Sequence, residues 1–164
     1  MSKHTTQILR AGHSEVCNQG LFSLALPDFQ SLPDSISLPS RHLIAFLAAN
    51  SAGVDSKTLT EFSRQLLRAG CVYFCAWGTD CERAHDIFDG ECLTIEPVIM
   101  TTWHADESLD EALWFFVFSA FPAEAYEVIC RSGLAISIGK PEWDQHVRMR
   151  LRDIDSLGRC GDGN

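Results

Sequence analysis

Short apolar runs alternate with capped amphipathic segments from His42 onward, and this alternation constrains the fold more than any other feature. His42 to Ala49 (HLIAFLAA) is a continuous apolar run, the mark of a strand buried on both faces. Asp55 is placed to cap a helix whose Leu59, Phe62, Leu66 and Ala69 share one face, with Gly70 as its stop. Cys71 to Ala76 predicts a second buried strand. Thr79-Asp80-Cys81-Glu82 fits the S/T-x-x-E capping box. It predicts a helix with Ala84, Ile87 and Phe88 inward and its end at Gly90.

The unit then repeats. Val98 to Trp103 follows Pro97 as a third strand, and Ser108 to Glu111 forms a second capping box. The helix behind it, reaching Phe121, is apolar nearly all round through Leu113, Trp114, Phe115, Phe116 and Val117. Such a helix is covered on more than one side, and the surplus apolar surface suits a homodimer face. Pro122 breaks it and opens a helix from Ala123 to Cys130. Leu134 to Ile138 is a fourth strand. Pro141 opens a last helix with Trp143, Val147, Leu151 and Ile154 on one face.

Strands and helices alternating through short links make parallel βαβ units with right-handed crossovers. The expected fold is α/β, Rossmann-like: a three-layer sandwich with a mostly parallel four- to five-stranded sheet and helices on both faces. Residues 41–157 form this single domain. Residues 1–40, punctuated by Pro27, Pro33 and Pro39, are expected to be a loop-rich lead-in packing on it. Within that lead-in, Leu21 to Leu26 makes a strand or an apolar arm. The Gly-rich end, residues 158–164, is expected to fray.

A length of 164 residues suits one domain, and 46% apolar with 21% charged residues excludes a disordered or fibrous chain. The start, Met1 to Gln7, is polar and no apolar leader region follows. The longest apolar run, Leu113 to Phe121 interrupted by Ser119, is far short of the ~18–20 residues of a membrane span. Seven cysteines at irregular spacing (Cys17, Cys71, Cys75, Cys81, Cys92, Cys130, Cys160) point to free thiols in a reducing, cytoplasmic setting.

The net charge of −9 is uneven. From Asp80 to Glu127 there are twelve acids and one base, Arg83, a net −11. Phosphate backbones are repelled by such a surface, so nucleic acid is not an expected partner. A basic protein partner, a metal ion or a cationic ligand is favoured. The plainer alternative is a solvated acidic face.

Ligands of open α/β sheets bind at the carboxyl ends of the strands. Those ends carry Asn50 and Ser51, then Trp77 to Cys81, then His104, Asp106 and Glu107, then Lys140 and Glu142. Candidate catalytic residues are Cys81, His104 and Asp106: a thiol in the first turn of a helix is a potential nucleophile and a histidine its base. Against this, Asp80, Glu82 and Asp86 oppose a thiolate. Candidate ligand-binding residues are Asn50, Trp77, Asp80 and Trp103, the two indoles forming an aromatic wall or packing at the core rim. Candidate metal ligands are Cys81 and His85, at i and i+4, with His104; Asp80, Asp106 and Glu107 suit magnesium. Capping alone explains Thr79, Glu82, Ser108 and Glu111. No cofactor is expected beyond a divalent metal at these positions. His4, His13, His42 and His146 carry no visible chemistry.

Several familiar chemistries lack their residues. Gly139-Lys140 is followed by Pro141, where a phosphate-binding loop needs Ser or Thr. No G-x-G-x-x-G follows a strand, and no G-x-S-x-G occurs. The first strand ends Ala49-Asn50-Ser51, without the acids of a receiver domain.

The stretch from Cys71 to Tyr126, with YFCAWGTDCERAHDIFDGE and TTWHADESLDEALWFF, resembles a group of small bacterial α/β proteins classed as a domain of unknown function. The resemblance covers the central third of the chain plus the flanking strand–helix pattern. It implies a bacterial source and supplies no activity or functional residue. Two functions follow from the residues. One is a non-catalytic binding or accessory module using its acidic surface in protein–protein interaction. The other is a small enzyme or ligand sensor acting at Asp80, Cys81, His104 and Asp106.

Overall fold

The computed structural model describes residues 6–161. Its elements are β1 (Leu9–Ser14), β2 (Gln19–Leu26), a 3-10 turn at Phe29–Ser31, β3 (His42–Ala48), α1 (Ser56–Arg68), β4 (Cys71–Trp77) and α2 (Cys81–Cys92). After these come β5 (Met100–His104), α3 (Leu109–Phe118), α4 (Glu124–Glu127), β6 (Cys130–Ile138), α5 (Pro141–Arg152) and α6 (Ile154–Gly161). One six-stranded sheet runs in the order β1-β2-β6-β3-β4-β5. β1 is antiparallel to β2, and every other pairing is parallel.

The α/β sandwich and the continuous apolar strands agree with the sequence reading. β3 and β4 are buried along nearly their whole length, because helices cover both faces. On one face α1, α2 and the Phe29–Ser31 turn enclose Leu43, Ala45, Leu47, Phe74 and Ala76. On the other, α3, α5 and α6 enclose Ile44, Phe46, Tyr73 and Cys75. The all-round apolar character of α3 has a local cause: it lies on the sheet through Phe116 and packs sideways on α6.

The strand count is six, not four to five, and the difference lies in residues 1–40. That segment is not only a lead-in, since Leu9–Ser14 and Gln19–Leu26 are strands of the sheet. Asn18, in the left-handed region at φ 48°, closes the hairpin between them. β2 is an interior strand between β1 and β6, which explains why Leu21 and Leu24 are fully buried. Gly12 sits at a bulge in β1 where a β-carbon would fall 1.8 Å from the Leu151 carbonyl oxygen, so α5 crosses β1 backbone to backbone.

Other boundaries move for physical reasons. The first capping box does not form: the cap of α2 is Asp80, at φ 60°, with no side-chain cap bond. Its carboxylate is held by Arg83 Nε at 2.8 Å. Gly90 does not stop α2, which continues to Cys92. The capping box at Ser108 does form, reciprocally with Glu111. α3 ends at Phe118 and α4 spans only Glu124–Glu127, so β6 begins earlier than its apolar run, at Cys130. Of the expected frayed end, residues 158–161 continue the backbone of α6 and residues 162–164 lie outside the described residues, as does His4.

Candidate functional site

Because β2, β6, β3, β4 and β5 are parallel, their carboxyl ends share one edge of the sheet. The chain leaves β3 toward β4 and β5, then crosses back to place β6 on the other side of β3. This reversal is where open α/β sheets form a crevice. A cleft of about 320 Å³ lies there, with Asp28, Asn50, Lys140 and Trp143 in its lining. Lys140 Nζ stands 4.6 Å over the Trp143 ring, and Trp77 meets that ring edge-on at 5.3 Å. Asn50 spends its side-chain oxygen on the Ala52 N–H at 3.0 Å. Asn50 and Trp77 therefore border the switch point, whereas Asp80 and Trp103 belong to other surroundings.

Asp80 is part of a clamp. Arg83 bonds its carboxylate and donates through Nη2 to the carbonyls of Ser51 at 2.6 Å and Val54 at 2.7 Å. The loop after β3 is thus tied to the start of α2. Cys81 is buried. Burial pushes its thiol up, against a backbone hydrogen bond from His104, and Glu82 and Asp80 push the same way. Helix position alone suggested a lowered value; desolvation outweighs it.

β5 splits the remaining candidates between its two faces. On the α2 side, His85 Nε2 is 2.9 Å from Thr101 Oγ1 and His85 Nδ1 is 2.9 Å from Asp86. Thr101 also donates to Asp89 at 2.9 Å, and the Trp103 ring lies 4.6 Å from that of His85. On the α3 side, His104 is 4% exposed beneath Phe115. Its Nδ1 is 2.7 Å from Glu107 Oε2 and its Nε2 is 3.1 Å from Thr102 Oγ1. Thr102 in turn hydrogen-bonds the side chains of Tyr73 and Cys75, whose burial raises both to about 12.

Strand alternation sends Thr101 and Thr102 to opposite faces of the sheet, so their partners His85 and His104 lie on opposite sides. Cys81 and His104 are neighbours through the His104 backbone, not through the imidazole. Among the described residues, no three His, Cys, Asp or Glu gather as metal ligands. Asp106 and Glu107 are exposed at the end of β5.

Residues that sequence reasoning passed over include Ser23, Ser137, Asp144 and Arg148, which line clefts under α5. Two signals were available: serines inside otherwise apolar strands, and an acid–base pair at i and i+4 on α5.

An open, mostly parallel sheet with helices on both faces and polar residues along its carboxyl edge defines a doubly wound α/β domain. Within that class, the chain matches the family described as Domain of unknown function (DUF7684) over residues 21–154 and belongs to it. The match runs from β2 to the first residue of α6, which agrees with the resemblance carried by Cys71 to Tyr126. No curated protein and no solved structure matches the chain. Among the described residues, no helix is long and apolar enough to cross a membrane, and the six cysteines whose side chains are described are free.

Proposed function

We propose that the protein is a non-catalytic binding module that receives an extended, basic segment of a partner protein on the β5 edge. The observation that carries this reading is a free strand edge bearing exposed apolar side chains inside an unbroken acidic region. β5 ends the sheet, and among the described residues its outer backbone groups have no main-chain partner. Val98 (54% exposed), Met100 (40%) and Trp103 (46%) line this edge. No Lys or Arg occurs from residue 84 to residue 130. Glu96 precedes the strand, Asp106 and Glu107 follow it, and Asp86 reaches it through His85; all four are exposed.

An unpaired edge is a template for another strand. In strand addition, main-chain bonds supply affinity and alternate side chains supply selectivity. The acids repel a second copy of the same edge and attract Lys or Arg. The chemistry candidates support binding without catalysis: both ring nitrogens of His104 are engaged, and the Cys81 thiol is buried.

A synthetic peptide alternating lysine with valine tests this reading by calorimetry. Affinity is expected to fall as salt rises. The double variant D86K/D106K is expected to weaken binding about tenfold, ~1.4 kcal/mol. Affinity indifferent to both salt and charge reversal contradicts the proposal.

A further inference from the structure

Among the described residues, four buried side-chain atoms lack a hydrogen-bond partner: Gln19 Nε2, Ser23 Oγ, Ser137 Oγ and Arg148 Nε. Three of the four gather under α5. Ser23 and Arg148 line a cleft of about 280 Å³, and Ser137 lines a second of about 470 Å³. The two clefts share Ala25, Pro27 and Asp144. Ser137 pairs with Ala25 across β2 and β6, so Ser23 and Ser137 fall on one face of the sheet, two rungs apart. Each is 2% exposed. Buried polar atoms of native proteins are nearly always partnered, and a local concentration of orphans calls for a bound molecule.

The charges select its class. Asp144 is ion-paired with Arg148, one turn along α5, and Lys140 caps that helix without a side-chain cap bond. Two cations and one carboxylate leave a single positive charge in the lining. A monoanion balances it, whereas a dianion meets Asp144 uncompensated. In the larger cleft the remaining walls, among them Leu26, Pro27 and Pro141, are apolar and suit a short carbon body, while the smaller cleft adds Thr6 and Gln7 to its lining.

We propose that these adjoining clefts bind a small monocarboxylate. Its oxygens accept from Arg148 Nε–H and from the Ser23 and Ser137 hydroxyls, and Lys140 stands at the mouth. The site is distinct from the β5 edge and stands independently of the partner reading. It lies at the carboxyl ends of β2 and β6, where this architecture places ligands.

A 1H–15N titration with sodium lactate tests it, with inorganic phosphate as the competing probe at about pH 8, where phosphate is mainly the dianion. Saturable shifts at Ser23, Ser137 and Arg148 Nε–H are expected, with phosphate binding about tenfold more weakly. S23A/S137A is expected to lose lactate binding by about tenfold or more. Its thermal midpoint should be unchanged or raised, because the deleted hydroxyls have no protein partner. R148K, which keeps the charge but removes the Nε–H donor, gives the same reading if the double variant does not fold. Shifts that stay linear with lactate, phosphate binding as well as lactate, or variants that bind like the parent overturn the proposal.

Discussion

His104 Nδ1 and Glu107 Oε2 are 2.7 Å apart where β5 ends and the turn into α3 begins. The imidazole is buried and the carboxylate is partly exposed. The bond fixes which ring nitrogen faces the turn, leaving the other for Thr102. Glu107→Ala is expected to cost about 1 kcal/mol by stranding a buried ring nitrogen. Glu107→Gln, which retains an acceptor, should cost less. Urea unfolding of both variants checks the order.

Gly78 carries the crossing of two strand ends. It has φ +111°, and a β-carbon there would lie 2.0 Å from the Ala49 carbonyl oxygen. Gly78→Ala combines left-handed strain with a backbone clash and is expected to cost about 3 kcal/mol or more. Gly53 has φ +76° with open space around it. Gly53→Ala is expected to cost only about 1 kcal/mol. Equal losses in thermal unfolding would show that the approach of Gly78 to Ala49 is unimportant.

Asp110 joins α3 to α5. Burial raises its carboxyl, but hydrogen bonds from His146 and Arg150, with their charges, outweigh burial and hold it below the usual carboxylate value. His146 Nε2 is 2.6 Å away and Arg150 Nη2 also 2.6 Å. A carboxyl depressed in the folded state adds stability that is present above its unfolded pKa, about 3.9. That stability is lost as pH falls through the lower folded value. Asp110→Asn is expected to remove this part of the acid limb, so stability plotted against pH below about 4 should flatten relative to the parent.

Thiol reactivity follows burial. Burial pushes Cys75 up to about 12 and Cys130 to about 11, and raises Cys71, Cys81 and Cys92 as well. These five should resist alkylation of the native protein at about pH 8. Half-buried Cys17 should be modified first among the described cysteines. Mass-spectrometric mapping after brief treatment checks the order. Rapid labelling of Cys81 would restore it as a candidate nucleophile.

Much of the fold is legible in the chain from His42 onward, because β3 and β4 are buried on both faces and read as unbroken apolar runs. The hairpin Leu9–Ser14 and Gln19–Leu26 was harder. β1 is half-exposed and mixed in character, and its turn closes through Asn18 without the Asn-Gly or Asp-Gly signature. The start of α2 is not legible from local spacing: Thr79 and Glu82 have capping spacing, yet Gly78 and Asp80 both take left-handed conformations there. The carboxyl edge itself was readable from alternation. How its residues divide was not: the period of two sends His85's partner Thr101 and His104's partner Thr102 to opposite faces. The clefts under α5 depend on β2 lying beside β6, a pairing that no local pattern encodes.

The central claim is that β5 accepts a basic strand, and amide hydrogen exchange tests it most directly. With the alternating lysine–valine peptide at low salt, the outward-facing amides within residues 100–104 should become protected. Those of β1, at the opposite edge of the sheet, should be unchanged. Peptide binding without protection of β5, or equal protection at both edges, would contradict the account.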